Sequence, residues 1–342
     1  MRIEVFNRAP TGWDDYVARH GSATAYHRAS AVEIGAQAFK LRTSYASAYE
    51  GEDIVGVLPL VEQSSRMFGR FLVSLPFVTY GGILADDPRI AAALANRAAL
   101  EAQRRKARHV EFRHTTSLPE IELAERLEKV SMILPLPESE QALSRQLGAK
   151  LRSQIKRGER EKLELAWGGA ELIPDFYRVF APAMHALGTP VYPRRFFEVV
   201  YDALREVADI LVIRMAGRPQ AVAFLVQHGR TIEVPWAVAS LDAKQRSVNM
   251  RMYWELLVHS MQKGATAFDF GRSTVDSGTY RFKEQWGAEP HQLHWHYWLP
   301  SGVPVPKLNQ SNPKYARAVA LWRKMPLWSA NFLGPKIIRH LP

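Results

Sequence analysis

Apolar and polar residues follow two periods along this chain. Alternation at every second residue predicts strands, and recurrence every three to four residues predicts amphipathic helices. The turn Glu50-Gly51-Glu52-Asp53 between two β-rich runs predicts a hairpin, and Pro88 after Asp87 marks the start of a helix. The first half thus predicts a helix over Arg28–Ala38, strands over Leu41–Tyr49 and Ile54–Glu62, a helix over Pro88–Lys106 and a strand over His109–Phe112.

The second half continues this alternation after the basic segment LGAKLRSQIKRGEREKLEL. Its longest predicted helix, Val248–Lys263, stops at Gly264, a residue type that commonly ends helices in the left-handed conformation. The other predicted elements are helices over Pro174–Leu187, Arg194–Val207 and Gly278–Trp286, and strands over Ile210–Met215, Ala221–His228, Thr231–Val238, Ala267–Phe270 and Gln292–Leu299.

The order of these elements indicates a fold class. Two helices, antiparallel strands, and then a helix, strand, helix and strand form the order of an acyltransferase domain of the GNAT type. The first half can be read as a degraded copy of that order, and 342 residues are too many for one typical core. We therefore predict an α+β protein with tandem GNAT-like (acyl-CoA N-acyltransferase-like) domains at 1–148 and 149–300, and a basic, apolar tail at 301–342.

The composition of the chain limits the classes of binding partner and of chemistry that we expect. The 45 lysines and arginines against 34 acidic residues give a formal charge of +11, which favours polyanionic partners such as tRNA, nucleotide-linked sugars, CoA or membrane lipid. The absence of cysteine excludes disulfides, a thiolate nucleophile and a cysteine-ligated zinc site. The chain opens without an apolar signal region and has no stretch of roughly 20 apolar residues. We expect a cytoplasmic protein without a transmembrane segment.

The stretch FDFGRSTVDSGTYRFKEQWG, residues 268–287, carries the candidate chemistry. Asp276 or Ser277 can cap a short helix that Gly287 closes, and Tyr280 and Lys283 share one face of that helix. A cation held on such a helix can stabilise the oxyanion that forms when an amine attacks an ester or thioester carbonyl.

Arg272 precedes this helix on a loop, and its planar guanidinium suits a phosphate or carboxylate. The spacing also fits an alternative without catalysis, in which Lys283 and Arg272 form surface ion pairs with Glu284 or Asp269. Sequence spacing favours neither interpretation over the other.

The same stretch resembles the C-terminal motif of the Fem family of peptidoglycan-bridge aminoacyltransferases. In that motif an Asp-containing strand precedes a Phe-Lys-x-x-aromatic-Gly helix. Further matching segments are SLPFVTYGG, KLRSQIKRGEREKLEL, ALGTPVYPRRFF, EVPWAVAS and NPKYARAVALWRKMPL. Together they resemble the Fem-like (FemAB-related) branch associated with exosortase/PEP-CTERM exopolysaccharide loci.

The resemblance implies transfer of an acyl or aminoacyl group to an amine, with Lys283 stabilising the transferring carbonyl. It places the acceptor in the first domain, where Tyr80, Gly81 and Gly82 would approach it, although paired glycines can also simply turn the chain. No permanently bound cofactor is implied, and acyl-CoA or aminoacyl-tRNA would be the donor substrate.

Two departures from related enzymes leave the donor open. The chain has no heptad run long enough for the coiled-coil arm of some Fem enzymes, which argues against tRNA. The segment LDAKQRSVNMRMYW contains no glycine, whereas acetyl-CoA enzymes carry a Gly-rich pyrophosphate loop at this place.

A basic stripe and the C-terminal tail are candidate anion-binding surfaces. Arg152, Lys156 and Arg160 are spaced four apart on a predicted helix, which suits a phosphate backbone or a nucleotide-sugar diphosphate. A solvated helix face fits the same spacing. The tail interleaves cations with Trp, Leu and Ile and either contacts the inner membrane peripherally or packs across the domains.

Three further residues are candidates for substrate binding. Trp236 lies where GNAT strands splay and lines an acyl pocket or fills the core. His185 at a helix end is a candidate base, and Asp269 lies in the motif strand. The histidines of HQLHWHYW fit a packed final strand better than a metal site, because no further ligand stands at suitable spacing.

These features support two hypotheses of function. The first is an N-acyltransferase or aminoacyltransferase acting on an amine of a cell-envelope, peptidoglycan or exopolysaccharide precursor, in which Lys283, Arg272 and Tyr280 form the catalytic set. The alternative is a non-catalytic basic protein that holds tRNA or an anionic polymer, with an affinity that depends on salt and on the basic stripe.

Overall fold

The computed structural model describes residues 1–65, 69–118, 121–306 and 313–340. The chain forms two compact units. The first comprises Met1–Lys129, Gln292–Leu308 and Arg339–Pro342, and the second comprises Val130–His291 and Asn309–Ile338.

In its described residues the first unit contains a mixed sheet and four helices. Its strands are β1 (Arg2–Phe6), β2 (Arg42–Glu50), β3 (Asp53–Ser65), β4 (Gly69–Val73), β5 (Leu84–Ala85), β6 (Val110–His114), β7 (Ala124–Arg126) and β15 (His294–Trp298). Its helices are α1 (Trp13–Arg19), α2 (Ala29–Val32), α3 (Ile34–Phe39) and α4 (Pro88–Arg104), with a 3-10 turn at Ala25–His27.

The strand order in the first sheet is β1-β2-β3-β4-β6-β15-β7, and β5 pairs with β3. The predicted hairpin is confirmed, because Glu50 pairs with Asp53 in the antiparallel ladder of β2 and β3. The predicted start of α4 is also confirmed: the Asp87 carboxylate accepts a hydrogen bond from the backbone N–H of Arg89 at 2.7 Å. The alanine-rich face of α4 packs on the sheet.

The second unit contains seven strands and nine helices in its described residues. The strands are β8 (Lys129–Pro135), β9 (Leu163–Gly168), β10 (Ala208–Met215), β11 (Arg218–His228), β12 (Thr231–Ala239), β13 (Ala267–Thr274) and β14 (Glu289–Gln292). The helices are α5 (Glu140–Gln146), α6 (Ala149–Glu159), α7 (Ile173–Leu187), α8 (Arg194–Leu204), α9 (Leu241–Gln245), α10 (Val248–Gln262), α11 (Gly278–Glu284), α12 (Pro313–Lys324) and α13 (Leu327–Ile338).

The second sheet has the order β14-β8-β13-β12-β11-β10-β9. One apolar cluster joins buried residues of α6, α10 and the sheet. Phe176 and Phe180 of α7 and Phe196 and Phe197 of α8 form an aromatic cluster that includes Phe224 of β11. Both faces of the central strands are therefore buried, which accounts for the continuous apolar runs in β10 and β11.

The predicted domain boundaries are wrong at two places. Strand β8 was placed in the first domain but belongs to the second sheet, and β15 was placed in the second domain but pairs with β6 and β7. The predicted strand 292–299 contains the junction between β14 and β15. Both errors have one cause: strand membership depends on partners distant in sequence, which local periodicity does not report.

The predicted tail forms the helices α12 and α13, and both pack against α7. Among the residues that the structure describes, no helix is long and apolar enough to cross a bilayer.

Candidate functional site

The site is built where two parallel strands end their pairing. The ladder of β12 and β13 joins Thr231, Ile232 and Glu233 to Ala267, Phe268 and Asp269. Both strands continue beyond it, β12 to Ala239 and β13 to Thr274.

Two local features redirect the backbone at the end of this ladder. On its other edge β12 pairs with β11, and the register of that ladder shifts between Phe224 and Val226. Phe224 lies opposite Trp236, whereas Val226 lies opposite Glu233, so β12 has one more residue than β11 in this stretch. Gly271 in β13 has φ +78°, which side-chain-bearing residues rarely adopt. These features interrupt the regular strand geometry of β12 and β13 where their pairing stops.

Lys283 reaches this place from α11. Its Nζ donates hydrogen bonds to the backbone carbonyls of Gly271 at 2.8 Å and Arg272 at 3.1 Å, and the residue is 8% exposed. The alternative of a surface ion pair is therefore wrong for Lys283, because its side chain is buried and both hydrogen bonds go to the backbone.

The helix that carries Lys283, α11, is held in place at its start and along one side. The Ser277 hydroxyl caps α11 by accepting a hydrogen bond from the Tyr280 backbone N–H at 3.2 Å. Behind the helix, the ring of Phe282 lies 5.0 Å from Tyr253, and Trp286 lies 6.0 Å from the same ring. Packing on one side and capping at the start fix the direction in which Lys283 projects.

Two buried carboxylates influence the Lys283 amine. Asp269 accepts hydrogen bonds from the Ser131 hydroxyl at 2.6 Å and from the Gly271 backbone N–H at 2.7 Å. Glu233 lies 3.0 Å from Nε2 of His228. Asp269 and Glu233 are each 1% exposed.

Burial lowers the pKa of Lys283 from 10.5 to about 8, because desolvation disfavours the ammonium ion. The charges of Asp269 and Glu233 oppose this shift, and Arg272 adds to it. The lysine is therefore mostly protonated at neutral pH, and it can lose its proton slightly above neutrality.

The other two predicted catalytic residues flank Lys283. Tyr280 is half-buried on α11 and packs against the apolar cluster of the second unit. Arg272 is exposed and follows Gly271 in β13. The structure thus joins Lys283 to the Arg272 backbone carbonyl and places Tyr280 three residues before Lys283 on α11. The catalytic roles of the three residues stay predictions.

Trp236 lies in the aromatic cluster of the second unit. Its ring is 5.3 Å from Phe197, 5.5 Å from Phe224 and 5.6 Å from Phe196, in edge-to-face arrangements. This packing gives Trp236 a structural role, and its place in an acyl pocket stays a prediction.

Tyr80, Gly81 and Gly82 lie in the first unit. A Cβ atom on Gly81, which has φ +148°, would lie 2.4 Å from Leu75, and one on Gly82 would lie 2.4 Å from the His114 ring. The glycines thus let the backbone pass close to buried side chains, and residues 80–82 form no turn. Their proposed contact with the acceptor stays a prediction.

The three residues of the basic stripe, Arg152, Lys156 and Arg160, have different surroundings. The guanidinium of Arg152 bonds to the backbone carbonyls of Leu147 and Ser144, at the end of α5. Lys156 and Arg160 are exposed, and Arg160 lies just beyond the end of α6. Phosphate binding therefore stays a prediction that is better suited to Lys156 and Arg160 than to Arg152.

His185 has a structural partner. Its Nε2 lies 2.9 Å from the backbone carbonyl of Trp322, so the ring joins the end of α7 to α12. Its assignment to substrate binding stays a prediction. No group of three or more potential metal-ligating side chains occurs in the described part of the chain.

Sequence reasoning missed three residues of this site: Glu233, His228 and Ser131. Glu233 could have been found, because a glutamate in the apolar strand TIEVPWAVA indicates a buried charge with a partner. Ser131 could not, since its hydrogen bond to Asp269 joins residues 138 positions apart.

Comparisons with known proteins identify the fold. Residues 145–284 match the family described as the acetyltransferase (GNAT) domain. The crystal structure of FemX matches with a TM-score of 0.66 and 13% identity, covering 85% of this chain and 96% of that chain. No curated protein matches the sequence.

Two further solved structures share the fold. The structure of L-PGS from Bacillus licheniformis has a TM-score of 0.57 and 14% identity, covering 94% of this chain and 98% of that chain. A tandem GNAT protein from the clavulanic acid biosynthesis pathway has a TM-score of 0.54 and 11% identity, covering 89% and 100%. The predicted α+β, tandem GNAT-like fold of Fem type is confirmed. The match of residues 145–284 to the acetyltransferase (GNAT) domain supports an acyl or aminoacyl transferase in general.

Proposed function

We propose that the chain is an N-acyltransferase or aminoacyltransferase acting on an amine of a cell-envelope precursor. The buried amine of Lys283, held at the end of the β12–β13 ladder within the matched GNAT domain, carries this proposal. The motifs that resemble Fem-like enzymes support a peptidoglycan or exopolysaccharide precursor as acceptor. Their likeness to the exosortase-associated branch favours the exopolysaccharide.

The proposed reaction begins when the acceptor amine attacks the carbonyl carbon of an ester or thioester donor. The new C–N bond places negative charge on the carbonyl oxygen. An ammonium group has three N–H donors, and the carbonyls of Gly271 and Arg272 take two from Lys283. The third N–H stabilises the oxyanion.

The intermediate then collapses to the amide. The C–O or C–S bond breaks, its electron pair leaves with the donor oxygen or sulfur, and the proton of the attacking nitrogen is transferred to that leaving group. A dedicated base is unnecessary when the acceptor amine arrives deprotonated. Arg272 and Tyr280 orient the donor and the acceptor in this scheme.

The donor is an acyl-CoA or an aminoacyl-tRNA, and both carry phosphates. Lys156 and Arg160 at the end of α6 provide exposed cations for such a group. Gly158 of α6 packs closely against the start of α10. A Cβ atom added to Gly158 would lie 2.6 Å from the carbonyl oxygen of Ser247. Lys156 and Arg160 lie two residues before and after Gly158, and we assign them to the donor phosphates on their charge and exposure.

The test is turnover by the purified full-length chain with acetyl-CoA or aminoacyl-tRNA as donor. The acceptor is a nucleotide-linked precursor carrying a free amine. We expect Lys283→Met, which keeps the length of the side chain, to lower kcat about 100- to 1,000-fold. Lys162→Ala, at an exposed lysine, serves as the matched control and should retain wild-type turnover.

Equal turnover by Lys283→Met and wild type would remove Lys283 from the mechanism. Wild-type protein that binds tRNA in a salt-sensitive manner, without turnover of either donor, would instead support the non-catalytic alternative.

A further inference from the structure

Large apolar side chains form an exposed surface on the C-terminal helices. Trp328 is 75% exposed, Leu321 is 66% exposed and Phe332 is 62% exposed. Trp328 and Phe332 are four residues apart and share one face of α13. Lys336 continues this face, with its Nζ 3.9 Å from the centre of the Phe332 ring.

The opposite face of α13 is buried. Ala330 is 1% exposed and Ile338 is 8% exposed. A Cβ atom on Gly334 would lie 2.9 Å from the backbone nitrogen of Val191, so the helix backbone approaches this loop closely. These buried positions fix α13 in place, and packing does not require the exposed aromatic face.

Helix α12 is anchored in a similar way. Trp322 is 8% exposed, and its carbonyl lies 2.9 Å from Nε2 of His185. The guanidinium of Arg323 donates to the Leu187 carbonyl at 3.1 Å. Leu187 itself is 58% exposed, so the end of α7 that Arg323 contacts also exposes an apolar side chain.

The charge of this segment has one sign. Residues 301–342 contain seven lysines and arginines and no aspartate or glutamate. They supply most of the formal charge of +11. Exposed aromatic side chains among cations, without acidic residues, are typical of helices that lie in an anionic membrane interface.

We propose that the outer face of α12 and α13, defined by Leu321, Lys324, Trp328, Phe332 and Lys336, docks on an anionic lipid surface. Trp328 and Phe332 enter the headgroup region, and the two lysines contact lipid phosphates. The helices lie along the membrane plane. This inference stands apart from the proposed acyl transfer, since it rests on the exposure and charge of these helices.

A second copy of the chain fits this surface less well. In a symmetric dimer the same patch occurs on both partners, which brings like charges together at the contact. An anionic bilayer neutralises these charges.

The test is sedimentation of the full-length chain with phosphatidylcholine vesicles that contain either no or about one-third phosphatidylglycerol. We expect binding that requires phosphatidylglycerol and weakens with added sodium chloride. Trp328→Ser/Phe332→Ser should lower the partition coefficient at least about tenfold. Lys324→Gln and Lys336→Gln should each lower it about fivefold. Leu100→Ser, at a 53% exposed leucine of α4, is the matched control and should bind as wild type.

Equal binding of wild type and Trp328→Ser/Phe332→Ser, or no dependence on phosphatidylglycerol, would overturn the proposal. Sedimentation velocity without vesicles gives a second readout. Dimerisation of wild type that the double variant abolishes, together with absent vesicle binding, would assign the surface to a second copy instead. Unchanged thermal unfolding of the double variant shows that any loss of binding does not come from misfolding.

Discussion

The amine of Lys283 is subject to opposing influences. Burial disfavours its charge, whereas Asp269 and Glu233 favour it, and the resulting pKa of about 8 lies well below the ordinary value of 10.5. Because of this balance, the protonation state of one side chain changes within the pH range where the enzyme can be assayed.

The first prediction concerns the pH dependence of kcat/KM. If the ammonium form of Lys283 stabilises the oxyanion, its contribution is complete below about pH 8 and is lost as the pH rises through that value. Lys283→Arg keeps its charge at every assay pH. We expect the ratio of wild-type to Lys283→Arg activity to fall above about pH 8, and a ratio independent of pH would contradict the assignment.

The second prediction concerns Asp269. Replacing its carboxylate by an amide removes a negative charge that favours the Lys283 ammonium, while the amide oxygen can still accept the hydrogen bonds from Ser131 and Gly271. We therefore expect Asp269→Asn to shift the alkaline fall in activity to lower pH.

Glu233→Gln should shift this fall in the same direction, because Glu233 also favours the charged lysine. Asp202→Asn, at an exposed carboxylate of α8, is the control and should leave the profile unchanged. A shift to higher pH in either buried variant would show that the two carboxylates do not act on Lys283 as described.

At the scale of elements, the short helix α11 determines where the Lys283 amine lies. Its Ser277 cap and the Ser139 cap of α5 have the same form, each accepting a hydrogen bond from a backbone N–H three residues on at 3.2 Å. Replacing either serine by alanine should cost about 1 kcal/mol of stability. We expect only Ser277→Ala to lower kcat, because only that helix carries Lys283.

The conservative variant Ser277→Asp distinguishes positioning from general destabilisation. Aspartate caps helices as well as serine does, so Ser277→Asp should restore most of the kcat lost in Ser277→Ala. Equal loss of kcat in Ser277→Ala and Ser139→Ala, measured at matched temperature below unfolding, would show that α11 needs no such cap for function.

Elements with strong local signals were predictable from the sequence. Helix α7 was predicted over 174–187 and spans Ile173–Leu187, and α10 was predicted over 248–263 and spans Val248–Gln262. Proline near the start of α7 and glycine after both helices mark these boundaries. The N-terminal cap of α11 was predictable as well, because a capping serine is also a local signal.

The site was predictable only in part. The sequence motif located Lys283 and its helix, because capping and face sharing act over a few residues. The partners of Lys283 were not predictable, because they are the backbone carbonyls of Gly271 and Arg272, and the φ of +78° at Gly271 is not reported by local periodicity. The assignment of β8 and β15 to their sheets likewise depends on pairing between distant segments.

At the scale of the whole molecule, the two units differ in their buried ionisable groups. The first unit buries His109, His114 and His296, each at most 7% exposed. Nδ1 of His114 lies 3.2 Å from Nδ1 of His296, and Nε2 of His114 accepts a hydrogen bond from the Ile83 backbone N–H at 2.8 Å. Because Nε2 of His114 accepts this hydrogen bond, it carries no proton of its own, and the His114 ring is therefore uncharged.

These histidines make the first unit sensitive to acid. Burial lowers the pKa of His109 and His296 below 6.5 and that of His114 well below it, and His296 adds to the shift of His114. The unfolded chain therefore binds more protons than the folded one as the pH falls below about 6.5. The free energy of unfolding therefore decreases as the pH falls, by up to about 1.4 kcal/mol per pH unit for each histidine.

The last prediction follows from where these histidines lie. Hydrogen exchange of the full-length chain, corrected for intrinsic rates, should show lower protection of β6 and β15 at pH 5.5 than at pH 7.5, with a smaller change in β10 and β11. His109→Phe keeps the stacking on Phe71, whose ring lies 4.9 Å away, and removes one titrating group. It should therefore reduce the acid loss in β6. An equal loss of protection in both sheets would mean that acid acts through the net charge of the molecule, because self-repulsion does not select the unit that contains the histidines.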